Sequence, residues 1–169
     1  MDRIRDPAVR YVIVLRAATF VRRKGFTPLT LVFGLWLARA KWRFGFELHP
    51  DSSIGPGLYL GNHPGGVVVN PDARIGANCN LGHGVTVGQV NRGERAGAPV
   101  LGDRVWVGAG AKVLGAITIG DDVLIAPNAV VVDDVESHCV VGGIPARVLS
   151  RDGSSGYVND LADRRGEDG

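Results

Sequence analysis

The chain has 169 residues, of which 45% are hydrophobic and 21% charged, and its formal net charge is +2. This length and composition allow one hydrophobic core and little more. The arginines are scattered at the two ends without a compact basic stripe, and few aromatic residues lie among them, which argues against a nucleic-acid-binding protein.

Two helices are predicted between residues 7 and 42, separated by a break at residues 25–28. Pro7 should begin the first helix, Thr27 should cap the second, and Gly45 lies just past its end. The apolar run at residues 29–38 is too short to span a bilayer, which takes about 20 residues. We expect no signal peptide, because Arg16 interrupts the first apolar run and no cleavage-like site follows.

Further along the chain, an aliphatic side chain returns every sixth position. The positions are Leu48, Ile54, Leu60, Val69, Ile75, Leu81, Val87, Leu101, Val107, Val113, Ile119, Ile125 and Val131. A second residue, nearly always small or aliphatic, follows four places after most of them. A period of six fits neither an α-helix nor a two-faced strand. It is typical of a prism-shaped solenoid in which three hexads complete one coil, and it predicts about four coils.

Two interruptions break this rhythm, and interruptions of a solenoid are often where function lies. Three extra residues precede Val69, beside His63, and a longer loop at about residues 88–99 follows Val87. Tolerated surface insertions are the alternative interpretation of both.

The chain thus divides into a helical segment, residues 1–45, a solenoid domain, residues 46–149, and a polar tail, residues 150–169, expected to be mobile. We interpret the helices as a cap on the solenoid, because an uncovered coil exposes the hydrogen-bonding groups of its edge. A peripheral membrane contact through Trp36, Trp42 and the arginines is the alternative.

Several segments together resemble the hexapeptide-repeat acyltransferases, and most closely the serine acetyltransferases. They are the hexads, GNHPGGVVVN, NCNLGHGVTVG, the exiting loop and the closing GGIPAR. The resemblance covers roughly residues 46–149. It implies a left-handed parallel β-helix, an exception to the right-handed rule for parallel crossovers. It also implies an acetyl-CoA-dependent O-acetyltransferase that assembles as a homotrimer.

The resemblance assigns His63 as the general base and Glu47 as the carboxylate that fixes its tautomer. An imidazole titrates near neutrality and can take the proton of an attacking hydroxyl group. Glu47 stands where the family has an aspartate, two residues before a His-Pro pair. His83, at an outward corner, is the second candidate for the base.

The resemblance also implies that acetyl-CoA, the acyl donor, lies in a groove along the prism. The matching positions are Gly88, Gln89, Ala109, Pro127 and Arg147. The backbone N–H of Gln89 matches an oxyanion donor, whereas Pro127 has no N–H to donate.

The acceptor side departs from the serine enzymes. Asn62, or Gly61 in an alternative alignment, replaces a family aspartate that helps to recognise the acceptor, and residues 97–98 replace an Arg-His pair. Arg92 or Arg95 could substitute for the lost charge. L-Serine is therefore one acceptor among several, which include a sugar of a surface polysaccharide and other small metabolites.

Two further classes remain open. A metal enzyme resembling the γ-class carbonic anhydrases needs two histidines five residues apart, and no pair here has that spacing, so no metal is expected. Cys79 and Cys139 are expected to be small buried hydrophobes in a reducing, cytoplasmic compartment. A non-catalytic scaffold is the third class.

Overall fold

Two helices precede a run of short strands in the computed structural model, which describes residues 6–61 and 65–159. The helices are α1 (Pro7–Arg23) and α2 (Thr27–Phe44). The strands are β1 (Phe46–Glu47), β2 (Ser53–Ile54), β3 (Tyr59–Leu60), β4 (Val67–Val69), β5 (Arg74–Ile75), β6 (Asn80–Leu81), β7 (Thr86–Gly88), β8 (Val100–Leu101), β9 (Trp106–Val107), β10 (Lys112–Leu114), β11 (Thr118–Ile119), β12 (Leu124–Ile125), β13 (Val130–Val131), β14 (Val140–Gly143) and β15 (Ala146–Ser150).

The helix ends follow from local capping. Asp6 accepts a hydrogen bond from the Ala8 N–H at 2.8 Å, so that α1 is capped one residue before Pro7. The prediction that Thr27 caps α2 is wrong: Thr27 is already helical, and Phe26 precedes it without a side-chain cap. Gly45 ends α2 with a left-handed φ of 73°, as predicted.

The strands form three sheets that make the three faces of a left-handed parallel β-helix. Strand order is β1-β4-β7-β10-β13 in the first sheet, β2-β5-β8-β11 in the second and β3-β6-β9-β12-β14-β15 in the third. Every third strand joins the same sheet up to β13, which is the arrangement that the period of six predicts. The first sheet is called the five-stranded face below.

The core consists of the predicted hexad residues. Of the thirteen, all but Ile54 are buried, and most expose 3% or less of their surface. Ile54 belongs to the first coil and is partly exposed. Cys79 and Cys139 are buried free thiols, as expected, and burial raises the pKa of Cys79 to about 11.

The strand register locates the two insertions. Val68 pairs with Thr86 and Lys112 with Val130, so a regular coil takes three hexads. The coil from Phe46 to its partner Val67 is longer than a regular coil by three residues, and the coil from Thr86 to its partner Lys112 is longer by eight. The shorter insertion enters just before β4 and the longer one just after β7, and both therefore border the five-stranded face.

One corner of the prism is built from stacked residues in the left-handed conformation. They are Gly57, Asn78, Arg104, Asp122 and His138, with φ between 54° and 72°. This conformation is unfavourable for a residue with a Cβ. The Arg104 guanidinium offsets part of that cost with two hydrogen bonds to the Asp122 carboxylate, at 2.6 and 2.7 Å. The same contact holds the pKa of Asp122 below its usual range.

Helix α1 covers the open end of the first coil and confirms the predicted cap. Arg16 donates from its guanidinium to the carbonyl oxygens of Ile54 and Gly55, and Thr19 Oγ1 donates to Pro50 O at 2.8 Å. The Tyr11 hydroxyl donates to Leu48 O at 3.2 Å. These side chains satisfy backbone carbonyls that have no further coil to pair with.

Helix α2 has a different role, because most of its apolar side chains are exposed. Within α2 only Leu37 and Ala40 are buried, although Phe33 and Phe44 pack partly against the core. In the part of the chain that the structure describes, no helix is both long and apolar enough to cross a membrane.

The first residues of the predicted polar tail lie against the third sheet. Ser154 is buried, and its hydroxyl donates to Arg104 O at 2.6 Å. The Tyr157 ring lies 5.4 Å from that of Trp106, and the Asn159 side chain donates to Asn80 Oδ1 at 3.0 Å. Residues 160–169 of this tail lie outside the described residues.

The cap can be tested at Arg16. Replacing it by Met keeps the aliphatic stem and removes the donors to two edge carbonyls, so we expect the free energy of unfolding to fall by about 1 to 3 kcal/mol. Chemical denaturation measures it. Arg23→Met, at the exposed end of the same helix, is the control and should change stability little. Equal losses in both variants would contradict the capping role of Arg16.

Candidate active site

The five-stranded face carries an outward row of side chains, one from each strand. Successive pairings align Glu47, Val68, Thr86, Lys112 and Val130. Since alternate residues of a strand point to opposite faces, these side chains leave the prism while their neighbours fill its core. Glu47 therefore stands on the outside of the face that both insertions border.

A cavity of about 480 Å³ opens between this face and helix α2. The solenoid contributes Phe46, Glu47, Leu48, His49, Pro50, Val68, Val69, Asn70, Pro71, Val87 and Gly88, and the helices contribute Tyr11, Arg22, Gly34, Leu37, Ala38 and Lys41. Two of the predicted site residues, Glu47 and Gly88, thus share one cavity.

The charged groups of this cavity are paired within the chain. Lys41 Nζ lies 2.6 Å from Glu47 Oε1, with both side chains about half exposed. Arg22 Nε lies 2.8 Å from Asp51 Oδ1. Each cation that lines the cavity therefore has a carboxylate partner, which leaves it close to electrically neutral.

His49 also lines the cavity, although its sequence position gave no special placement. Its Nδ1 accepts a hydrogen bond from the Asp51 N–H at 3.2 Å, and the loop that follows β1 thereby fixes the orientation of the imidazole. In sequence His49 is marked only by its closeness to Glu47, two residues earlier, and it lies beyond the end of β1.

His63 and Asn62 lie outside the described residues, so the structure gives no geometry for the predicted base. The adjoining Gly65 packs against His83 so closely that a Cβ on Gly65 would be 2.9 Å from the His83 Cβ. The Gly65 carbonyl also accepts a hydrogen bond from the Gly84 N–H. The exposed His83 is therefore a direct neighbour of the first insertion.

Two of the predicted donor residues continue the line that starts at Gly65. In the strand register, Gly65, His83, Ala109 and Pro127 occupy equivalent places in successive coils. The contacts agree, since Gly110 N–H donates to His83 O at 2.8 Å and Asn128 N–H to Ala109 O at 2.9 Å. This column follows one edge of the five-stranded face.

Gly88 and Gln89 lie at the opposite edge of that face. The Gly88 carbonyl accepts from the Gly115 N–H at 3.0 Å, which fixes the start of the long loop. Among the described residues the Gln89 N–H donates to no other group. Arg147 is exposed, and its Nη1 lies 3.6 Å from Asp133 Oδ2. A single chain therefore does not gather all five predicted donor residues at one edge.

The long loop folds back on itself and onto the next coil. Val90 and Gly97 exchange two backbone hydrogen bonds, of 3.0 and 2.8 Å. The Arg95 carbonyl accepts from the Ala116 N–H at 2.9 Å, and its guanidinium lies 2.9 Å from Asp134 Oδ2. Arg95 thus anchors the loop.

The two loop arginines differ in what they can offer an acceptor. The pairing with Asp134 occupies the Arg95 guanidinium, and Asp133 lies 3.7 Å from it on the same side. Arg92 is exposed. Roles for Arg92 and Arg95 in acceptor binding stay predictions. Within residues 6–61 and 65–159, no group of three or more His, Cys, Asp or Glu side chains could hold a metal ion.

Comparisons with known proteins agree with this geometry. Residues 98–133 match the family described as bacterial transferase hexapeptide (six repeats). The serine acetyltransferase of Helicobacter pylori is 43% identical over 113 residues, which are 67% of this chain and 66% of the relative.

Solved structures extend the similarity to the helices. The serine acetyltransferase of Neisseria gonorrhoeae in complex with serine superposes with a TM-score of 0.71 at 31% identity, over 85% of this chain and 57% of that one. The Brucella abortus serine acetyltransferase in complex with coenzyme A gives a TM-score of 0.75 at 28% identity, over 90% and 62%. The chain thus spans just under two thirds of the H. pylori relative and a smaller share of both structures.

The anchoring of the long loop gives a testable prediction. Asp134→Asn keeps an acceptor for the Thr118 N–H, which Asp134 binds at 2.7 Å, but loses the charge that holds Arg95. Near neutral pH, we expect the Ala116 and Gly97 amides to exchange roughly 2- to 5-fold faster than in the unmodified protein, as for a surface ion pair. Hydrogen-exchange mass spectrometry measures this rate.

The pH dependence follows from the sign of the shift. The Thr118 N–H, and after it Arg95, hold the pKa of Asp134 below its usual range. The anchor is therefore complete above the ordinary aspartate pKa of about 4 and is lost only as the pH falls through the lowered value.

Glu94→Gln is the control for the exchange experiment, because it removes a loop charge that does not bind Asp134. Equal exchange in all three proteins at neutral pH would refute the anchor.

Proposed function

This chain belongs to the hexapeptide-repeat transferase family, and on that premise we propose that it is an acetyl-CoA-dependent O-acetyltransferase of the serine acetyltransferase type. In this proposal residues 46–149 carry the reaction, residues 1–45 support them, and residues 150–169 form an appendage. A cytoplasmic location belongs to the proposal, because both thiols are unpaired.

One observation carries the proposal: the outward Glu47 and Gly88, two of the predicted site residues, line one cavity on the face that both insertions border. The cavity between that face and α2 offers room for a small acceptor. The structural relatives were solved with serine in one case and coenzyme A in another, which supports a donor and an acceptor of these kinds.

The reaction is a direct transfer. The acceptor hydroxyl oxygen attacks the thioester carbonyl carbon while His63 removes its proton. The carbon–sulfur bond then breaks, and the protonated His63 gives the proton to the sulfur, so that coenzyme A leaves as the thiol. The Gln89 N–H donates to no group within the described part of the chain, which supports its assignment as a donor to the oxygen on which negative charge develops. Both described cysteines are buried, which argues against a covalent acyl intermediate on a thiol.

The donor requires a surface longer than one edge of the face. Ala109 and Pro127 line one edge and Gly88 and Gln89 the other, and a strand of three residues, about 10 Å long, lies between the two edges. A homotrimer resolves this arrangement if the donor lies between two subunits, one contributing each edge. Asn62 and Arg92 are assigned to the acceptor, and Arg147 to the far end of the donor.

The charges of the cavity bear on which acceptor it can hold. Free serine carries an ammonium and a carboxylate group, and both need ionic partners when they are taken out of water. Lys41 and Arg22 line the cavity, but each already pairs with a carboxylate. L-Serine, the acceptor that relatives are named for, is our first candidate, and a hexose hydroxyl is the candidate that a nearly neutral cavity favours.

An acceptor screen tests the proposal. Purified protein with acetyl-CoA should release free thiol when L-serine or one of several hexoses is added, and His63→Ala should lower kcat by about 100-fold or more. His83→Ala separates the two candidate bases, because a larger loss there would move the base to His83. Absence of turnover together with absence of coenzyme A binding would leave the chain a non-catalytic scaffold.

The role of Glu47 has its own test. If its carboxylate orients and stabilises the protonated imidazole, Glu47→Gln should lower kcat by about 10-fold or more with little change in KM. The acidic limb of the pH profile should move to lower pH, since a neighbouring carboxylate favours the charged imidazole.

Glu136→Gln is the matched control, because Glu136 is also an exposed glutamate in an ion pair, 2.9 Å from Arg151, but lies off the five-stranded face. It should leave the pH profile unchanged. An unchanged profile in Glu47→Gln would remove this residue from the proposed mechanism.

A further inference from the structure

Helix α2 presents two apolar stripes with the same helical spacing. The inner stripe, Phe33, Leu37, Ala40 and Phe44, packs against the core. The outer stripe, Leu31, Leu35, Ala38 and Trp42, repeats the same three-and-four spacing two residues earlier, so that it lies on the opposite side of the helix. Leu31, Leu35 and Trp42 are 64%, 73% and 88% exposed. A helix needs only one apolar stripe to pack on its own domain.

The charge of the two helices is one-sided. Between Asp6 and Glu47 the sequence contains no acidic residue and eight basic ones. Two of them, Arg22 and Lys41, pair with Asp51 and Glu47 of the solenoid, and the other six are Arg10, Arg16, Arg23, Lys24, Arg39 and Arg43. Arg39 and Arg43 each follow a residue of the outer stripe. At the turn between the helices, the exposed Arg23 and Lys24 lie near the exposed Phe20 and Phe26.

We propose that α1 and α2 dock this protein on the surface of an anionic lipid bilayer, with the outer stripe of α2 among the lipid headgroups. An amphipathic helix with Leu and Trp on one side and basic residues beside them binds in this way without crossing the membrane. Tryptophan favours the boundary between headgroups and acyl chains, which suits the almost fully exposed Trp42.

The charge favours a lipid surface over a second copy of the chain. Two copies that met through this stripe would bring basic surfaces together, with no acidic residue of either helix to separate them. The inner stripe of α2 and the Arg16 bonds of α1 already hold both helices on the solenoid. The outer stripe can therefore enter the headgroup layer without unfolding the helices.

Cosedimentation with vesicles tests the proposal. Vesicles made from two parts phosphatidylcholine and one part phosphatidylglycerol are compared with vesicles of phosphatidylcholine alone, at low and high salt. We expect at least about 10-fold more protein on the anionic vesicles at low salt and a loss of that preference at high salt. A protein that stays in the supernatant with anionic vesicles at low salt overturns the proposal.

Matched variants identify the surface. Leu31→Gln, Leu35→Gln and Trp42→Gln together remove the outer stripe and keep every charge, and we expect about 10-fold weaker binding. The control combines Ile144→Gln, Val148→Gln and Leu149→Gln, which are 75%, 54% and 66% exposed on the far end of the solenoid, and it should bind as the unmodified protein does. Equal binding by both triple variants overturns the assignment.

A second pair of changes covers the case in which the triple variant loses helical circular dichroism. Arg39→Gln with Arg43→Gln should weaken binding to anionic vesicles about 10-fold and leave any binding to neutral vesicles unchanged. Unaltered binding to anionic vesicles would refute the charge argument.

Light scattering after size-exclusion chromatography tests whether the outer stripe joins two copies of the chain. Association without lipid that the stripe variant abolishes would make the stripe a contact between copies and overturn the lipid proposal.

Discussion

Backbone hydrogen bonds between residues three hexads apart hold each regular coil of the solenoid to the next. This spacing is the constraint on which the rest of the structure depends, because it turns a position along the chain into a position in a column. Gly65, His83, Ala109 and Pro127 share a column only because each is separated from the next by one whole coil, the middle one lengthened by the long loop. Length inserted into a coil leaves the register of later coils intact and projects from one corner. The fold can therefore add loops beside a chosen face at little cost to its core.

Much of this arrangement could be predicted because the inward positions repeat. A buried Val, Ile or Leu at every sixth residue determines the coil, the number of coils and the places where the count breaks, and the structure buries all but Ile54. The predicted start of α2 was wrong by one residue. The sequence favoured Thr27 as the N-cap, but Phe26 holds that position without a side-chain hydrogen bond. Periodicity could not assign the faces of α2, since apolar residues occur on nearly all of them.

The parts of the candidate site that resisted prediction depend on contacts between distant residues. Arg95 meets Asp134 only because the loop returns to the coil that carries Asp134, and residue type alone gives no sign of that pairing. Lys41 likewise meets Glu47 because Gly45 turns the chain back at the end of α2. His49 was missed because it is ordinary in sequence and significant only through the cavity that it lines. Glu47 was predicted from the resemblance rather than from any contact, and its role in the reaction stays a prediction.

The docked segment at residues 151–159 changes the mechanical character of the solenoid. Stacked repeats touch only their neighbours, so that one coil can open while the others persist. Here Ser154 binds Arg104, Tyr157 contacts Trp106 and Asn159 binds Asn80. The segment therefore runs back along the prism and connects consecutive coils. These coils can separate only after the segment has detached from them. The coils beneath it consequently behave as a single block, and fraying is confined to the turns that it does not cross.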